Sequence, residues 1–157
     1  MTSSQILARR IALALPALLL AGAYISQYGF GLFPCQMCWW QRYPHFAAVA
    51  LALVAFSARP AQLWTALAGL AILTSGVIGG FHAGVEYNWW EGLTTCASVA
   101  PTGGNPLDAL MNAPLIRCDV APWTLLGISL AGFNFLFSTF GGLAVLWLVA
   151  KKGARNG

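Results

Sequence analysis

Apolar residues gather in four runs along the chain: 11–28, a shorter run over 46–57, then 63–81 and 123–150. A membrane-crossing helix needs ~20 apolar residues, within a range of about 17–25. The first, third and fourth runs reach that length. The second holds about a dozen strictly apolar residues. It reads as a span because the chain must return between runs one and three, and because both of its flanks carry boundary residues. The expected fold is therefore an all-α integral membrane bundle of four transmembrane helices, at about 11–28, 44–58, 63–82 and 123–150, in a single domain over 1–157. Loops of about 29–43 and 83–122 fall on one side of it.

Polar and breaking residues refine this outline. Pro16 is expected to bend helix one, and Gly29, Gly31 and Pro34 to end it. Pro44 suits the first turn of helix two, where a missing N–H costs nothing. Arg59-Pro60 marks a tight turn. Ser75, Gly76, Gly79 and Gly80 in helix three, and Gly127, Gly132, Gly141 and Gly142 in the fourth run, read as close helix packing. Within the second loop, NPLDALMNAP (105–114) predicts a short amphipathic helix with Asn105 as cap, lying along the membrane surface or on the bundle.

Composition agrees with a membrane location. The chain is 59% hydrophobic and 8% charged, whereas soluble domains carry roughly 25% charged residues. The net charge of +4 forms no basic stripe, so nucleic-acid binding is excluded. Arg9, Arg10, Arg59, Lys151, Lys152 and Arg155 all fall on one side of a four-span topology, which the positive-inside rule makes cytoplasmic. Both termini are then cytoplasmic. Glu86, Glu91, Asp108 and Asp119 all lie between runs three and four, on the other side. A competing reading of the start is a cleaved signal peptide ending at Ala21-Gly22-Ala23. The apolar stretch continues past that point, which favours an uncleaved span.

The candidate chemistry is in the cysteines. Cys35 and Cys38 fall in the first outer loop, Cys96 and Cys118 in the second. That partition suits an oxidising compartment, and the simplest pairing joins the two cysteines of each loop. A C-x-x-C ring is too small to stabilise much, so it points to redox or metal chemistry. Cys96 and Cys118 are 22 positions apart and could form a structural bridge. A zinc site fits poorly, because the second pair lacks a C-x-x-C knuckle and the histidines complete no standard spacing.

Arg42 follows Cys38 by four positions, one helical turn. A guanidinium there favours the thiolate, although a snorkelling arginine would look the same. His82 closes helix three. Counted from Pro60 at ~1.5 Å per residue, Arg42 and His82 stand roughly 27 and 33 Å from the turn, so they reach similar heights. With Trp39, Trp40 and Phe81 as walls, a thiolate, a cation and an imidazole at the edge of lipid suit a membrane quinone. Its two-electron reduction matches the two electrons of a dithiol.

CQMCWWQRYP, GGFHAGVE and two further cysteines before the last span resemble the disulfide bond formation protein B (DsbB) family over nearly the whole chain. That family belongs to the DsbA–DsbB–quinone route, which keeps the bacterial periplasm oxidising. The resemblance implies a quinone-dependent protein-disulfide oxidase of the bacterial inner membrane with periplasmic cysteines. Its cofactor would be ubiquinone or menaquinone, and its partner a DsbA-like thioredoxin-fold protein. Cys96 would form the mixed disulfide with the partner, Cys118 would pass electrons to Cys35, and Cys38 would reduce the quinone held by Arg42 and His82. Glu86 falls in a matching stretch without an assigned role. The alternatives are a specialised relative with a dedicated partner, a structural membrane protein whose disulfides pin its loops, and a metal-binding protein.

Overall fold

In a computed structural model the described residues are 2–93, 97–99 and 115–151. Cys96 and the predicted surface helix at 105–114 lie outside them. Four helices make up the bundle: α1 (Ser3–Phe30), α2 (Gln36–Ser57), α3 (Ala61–Glu86) and α4 (Leu130–Ala150). Two short antiparallel pairs stand between α3 and α4: β1 (Ala97–Val99) with β2 (Leu115–Arg117), and β3 (Thr124–Leu125) with β4 (Ile128–Ser129).

Three helices, α1, α3 and α4, are long and apolar enough to cross a membrane. Their large exposed side chains are apolar, with Leu18, Val77 and Phe140 each about 70% exposed, which is the surface a lipid-facing bundle presents. α2 is long enough, at 22 residues, but it carries Gln41, Arg42 and His45 on its buried side.

The helices differ from the apolar runs at several ends: α1 begins at Ser3 and not at 11, α3 runs on to Glu86, and two further boundaries change the outer end of the bundle. α2 starts at Gln36, with Cys35 as its N-cap, so Pro44 sits in the helix interior and not in the first turn. The apolar run marks only where polar residues become sparse. The capping position after Pro34 sets where the helix begins. The fourth helix starts at Leu130, not at Trp123. Leu126 (φ 52°) and Gly127 (φ 79°) are both left-handed, which is the geometry of a tight primed hairpin turn. Tyr87 pins this hairpin to the end of α3: its hydroxyl donates to the Gly127 carbonyl and accepts from the Ser129 N–H, both at 2.9 Å. Apolar content alone cannot distinguish such a hairpin from another turn of helix.

α3 is the central helix, packed most extensively on α4 and α2, while α1 closes the bundle against α2 and α4. Small residues allow the close approach. A Cβ at Gly76 would lie 2.8 Å from Thr139 Oγ1 and 3.0 Å from the Thr139 backbone nitrogen. At the end carrying both termini, one residue from each helix meets at the centre: Ala12, Ala52, Ala68 and Val145, all fully buried. Arg9 crosses there to the last turn of α2, donating to the Ala55 carbonyl at 3.1 Å and lying 4.1 Å over the Phe56 ring. At the opposite end the buried cluster is Cys35, Met37, Val85 and Cys118.

Candidate redox site

The start of α2 builds the site. Cys35 caps the helix, and its sulfur accepts the Cys38 N–H at 3.3 Å. One turn of helix therefore holds the two sulfurs 3.0 Å apart, and forming a bond would require them to close to about 2.05 Å. Cys118 belongs to the same buried cluster and interacts with Cys35. That contact pulls the Cys35 thiol down, but its hydrogen bond to Cys38 and its burial outweigh the pull and push it up to about 12. Cys35 thus keeps its proton and directs it at the Cys38 sulfur, which favours Cys38 as the electron-rich partner.

α3 supplies His82, which is buried. Its Nδ1 accepts from Gln41 Nε2 at 2.8 Å. Gln41 Nε2 also donates to the Met37 carbonyl at 3.2 Å, so this end of the amide is the donor. Nε2 of His82 then carries the ring proton and donates to the Cys118 carbonyl at 3.2 Å. The same Nε2 is 3.6 Å from Cys35 Sγ and 3.8 Å from Glu86 Oε1. Cys35, Cys38 and His82 offer atoms within 4.8 Å of one another, as a metal would need. In the tautomer that Gln41 selects, the protonated nitrogen faces the sulfurs, which makes the arrangement a thiol–imidazole cluster.

Arg42 is buried and reaches toward α1. It donates to Gln27 Oε1 at 2.7 Å and to the Ala23 carbonyl at 3.3 Å. Its guanidinium lies 4.8 and 4.9 Å from the Tyr24 and Trp39 rings. Cys38, Arg42 and His82 come together on one cavity of about 260 Å³. Leu18, Leu19, Phe133 and Phe137 supply apolar wall, so all four helices bound the cavity.

The sequence reading missed a buried polar network under this cavity. Asn134 of α4 donates to Gln41 Oε1 at 2.8 Å, and its Oδ1 accepts from Ser138 at 2.8 Å and from His45 Nε2 at 2.9 Å. Ser75 donates to the Gln41 carbonyl at 2.8 Å. A signal was available, because polar side chains inside apolar runs are costly and usually functional. Among the small residues of α3, however, Ser75 reads as a packing residue. The network fixes Gln41, and Gln41 fixes the His82 tautomer.

A membrane bundle that holds a C-x-x-C dithiol against a buried imidazole defines a class: membrane proteins of thiol–disulfide chemistry. Comparison with known proteins narrows it. The family model described as Disulfide bond formation protein DsbB matches residues 6–150, and the chain belongs to this family. It is a membrane disulfide bond formation protein and an oxidoreductase of that process. The Disulfide bond formation protein B of Verminephrobacter eiseniae is 36% identical over 162 residues, covering 93% of this chain and 87% of the relative. That of Polaromonas naphthalenivorans is 31% identical, covering 93% and 91%, and that of Azoarcus sp. is 29% identical, covering 88% of each. No solved structure matches the chain significantly.

Proposed function

We propose that the chain oxidises a DsbA-like periplasmic dithiol protein and passes two electrons, through two cysteine pairs, to a membrane quinone. The observation that carries this reading is the position of Cys38. It touches Cys35 at 3.0 Å and also lines the largely apolar cavity with Arg42 and His82. The cavity fits a quinone ring. Its volume of about 260 Å³ is close to the lower bound of small-molecule sites, about 300 Å³. Arg42 and the Gln41–His82 pair bring polar groups for carbonyl oxygens, and the leucine and phenylalanine walls suit a ring and the start of a lipid tail. A bound quinone would supply the two-electron acceptor.

The chain's own residues do the rest. Cys35 and Cys38 release two electrons and two protons on closing their bond. Cys118, in contact with Cys35, is placed to hand electrons inward. Its proposed partner is Cys96, and the residues adjoining these two in sequence, Ala97 and Arg117, are paired in the β1–β2 ladder. His82 sets its Nε2–H beside the Cys35 sulfur, at 3.6 Å. In this reading α2 is a fourth span, the cysteines face the periplasm, and the membrane is the bacterial inner membrane with both termini cytoplasmic.

The test uses protein purified in detergent, a reduced DsbA-like dithiol protein and a short-tailed quinone, with quinone reduction followed by absorbance. Turnover that disappears in Cys38→Ser supports the reading. No turnover with either ubiquinone or menaquinone analogues, in folded protein, would move it to loop-pinning disulfides.

A further inference from the structure

Glu86 has no part in the mechanism above, yet it is the last residue of α3 and its side chain is 2% exposed. Its Oε2 is buried without a hydrogen-bond partner among the described residues. Burying a carboxylate so poorly satisfied is expensive, and such groups gather at functional sites. A second cavity of about 260 Å³ lies between Cys35 and the Ile116–Arg117 segment. Cys38, His82 and Glu86 line both this cavity and the one proposed for the quinone. The two cavities therefore meet at these three polar side chains, with Leu32, Phe33 and Pro122 as the apolar part of the shared wall. One is bordered by the segment that carries Cys118, the other by the apolar faces of α1 and α4.

We propose that Glu86 is the proton-transfer residue of the site, carrying a dithiol proton across the junction of the two cavities to the acceptor. The proposal rests on the quinone reading above. Closing the Cys35–Cys38 bond removes two electrons and two protons from sulfur, and reducing a quinone requires both. His82 Nε2–H stands 3.8 Å from Glu86 Oε1 and 3.6 Å from Cys35 Sγ. The imidazole can give its proton to the carboxylate and regain one from the Cys35 thiol. The sulfur–hydrogen bond breaks, the nitrogen–hydrogen bond is restored, and a carboxyl O–H forms. That proton then passes from Glu86 to a carbonyl oxygen of the acceptor, which returns the carboxylate. The second proton leaves Cys38 directly into the cavity that it lines. The electron pair travels through Cys38 as the S–S bond forms, so no further oxidant is needed. The other titratable or charged groups around Glu86 are His82 on its own helix, Cys38 from α2, Arg42 and His45 of α2 across the first cavity, Cys35 at the α2 cap, and Cys118 and Arg117 from the β2 side. Arg117 is engaged by Asp119 at 2.9 Å. α4 and β4 contribute Ser129, which carries no charge, to Glu86.

The experiment compares the wild-type chain, Glu86→Gln and Glu86→Asp, each reduced and purified in detergent. Binding of a short-tailed quinone is read by tryptophan fluorescence, and single-turnover reduction of that quinone is read by absorbance across pH. Positioned proton transfer contributes roughly 100-fold or more to rate. The expected result is a roughly 100-fold slower and pH-flattened reduction in Glu86→Gln, with quinone affinity within about twofold of wild type and a wild-type-shaped pH profile recovered in Glu86→Asp. In quinone-free protein, removing the neighbouring carboxylate should also shift alkylation of Cys38 to lower pH, because like charges no longer compete. A wild-type rate and pH profile in Glu86→Gln would overturn the proposal. So would a loss of quinone affinity that accounts for the slower rate, which would make Glu86 a binding group, or an equal loss in both variants. If the wild type neither binds nor reduces quinone, the underlying functional reading falls too.

Discussion

The two ends of the bundle are packed by opposite means. At the end with the termini, Ala12, Ala52, Ala68 and Val145 bring all four helices together with small or compact side chains. At the other end, the core is Cys35, Met37, Val85 and Cys118, flanked by two cavities and by buried His82 and Glu86. The first end gains stability from dense, apolar contact. The second leaves space and polar groups where a fold alone would fill them. The contrast separates scaffold from site: substitutions at the alanine end should alter stability, and substitutions at the cysteine end should alter chemistry.

The sharpest test of the division is Cys38→Ser. The change is nearly isosteric, so melting in detergent should shift little. Turnover of dithiol to quinone should fall to background, because a serine hydroxyl cannot form the disulfide. A variant that loses both fold and turnover would erase the distinction between the two ends.

Next in size is Gln41→Leu. It removes the donor to His82 Nδ1 and the acceptor for Asn134. The imidazole is then free to adopt the other tautomer and withdraw its Nε2–H from Cys35. A rate loss of roughly 10-fold, about 1.4 kcal/mol, is expected from losing this hydrogen bond. The check is single-turnover quinone reduction, in which Gln41→Glu should not restore the rate: it keeps an acceptor for Asn134, but a carboxylate accepts from Nδ1–H and so favours the same wrong tautomer.

Much of this site was legible in the sequence. Arg42 and His82 could be placed at similar heights from the Pro60 turn alone, because straight antiparallel helices convert residue count into distance, and Cys38 follows as the residue one turn before Arg42. The network behind them was not. Gln41 and Asn134 are 93 positions apart, and their contact depends on the rotation of α2 and α4, which a weakly amphipathic sequence does not specify. The same weakness hid the ends of the helices. Residues 36–43 are too polar to extend an apolar run yet belong to α2, and residues 123–129 are apolar enough to extend one yet fold as a hairpin. Capping and turn geometry decided both boundaries.

At the alanine end, Ala52→Leu should act in the opposite sense to Cys38→Ser. The position is fully buried among the other helices, and overpacking a dense core costs about 1–3 kcal/mol. Thermal denaturation in detergent should show that loss, while quinone affinity and the rate of the molecules that remain folded should not change. A slower rate at unchanged stability would mean that the two ends are mechanically coupled.

The smallest effect is expected at Ser129, which starts α4 at the cysteine end. It is fully buried, its hydroxyl caps α4 by accepting the Gly132 N–H at 3.0 Å, and it neighbours the Glu86 carboxylate. Ser129→Ala removes the cap, a cost of about 1 kcal/mol. If capping were its whole contribution, Ser129→Asn, which can cap equally well, would restore the melting temperature and leave nothing else altered. If the hydroxyl also steadies Glu86, the alanine variant should shift the pH profile of quinone reduction as well, and in the same direction at every substrate concentration. The pair of variants therefore separates a helix end that only holds the scaffold from one that also sets the charge at the cavity junction.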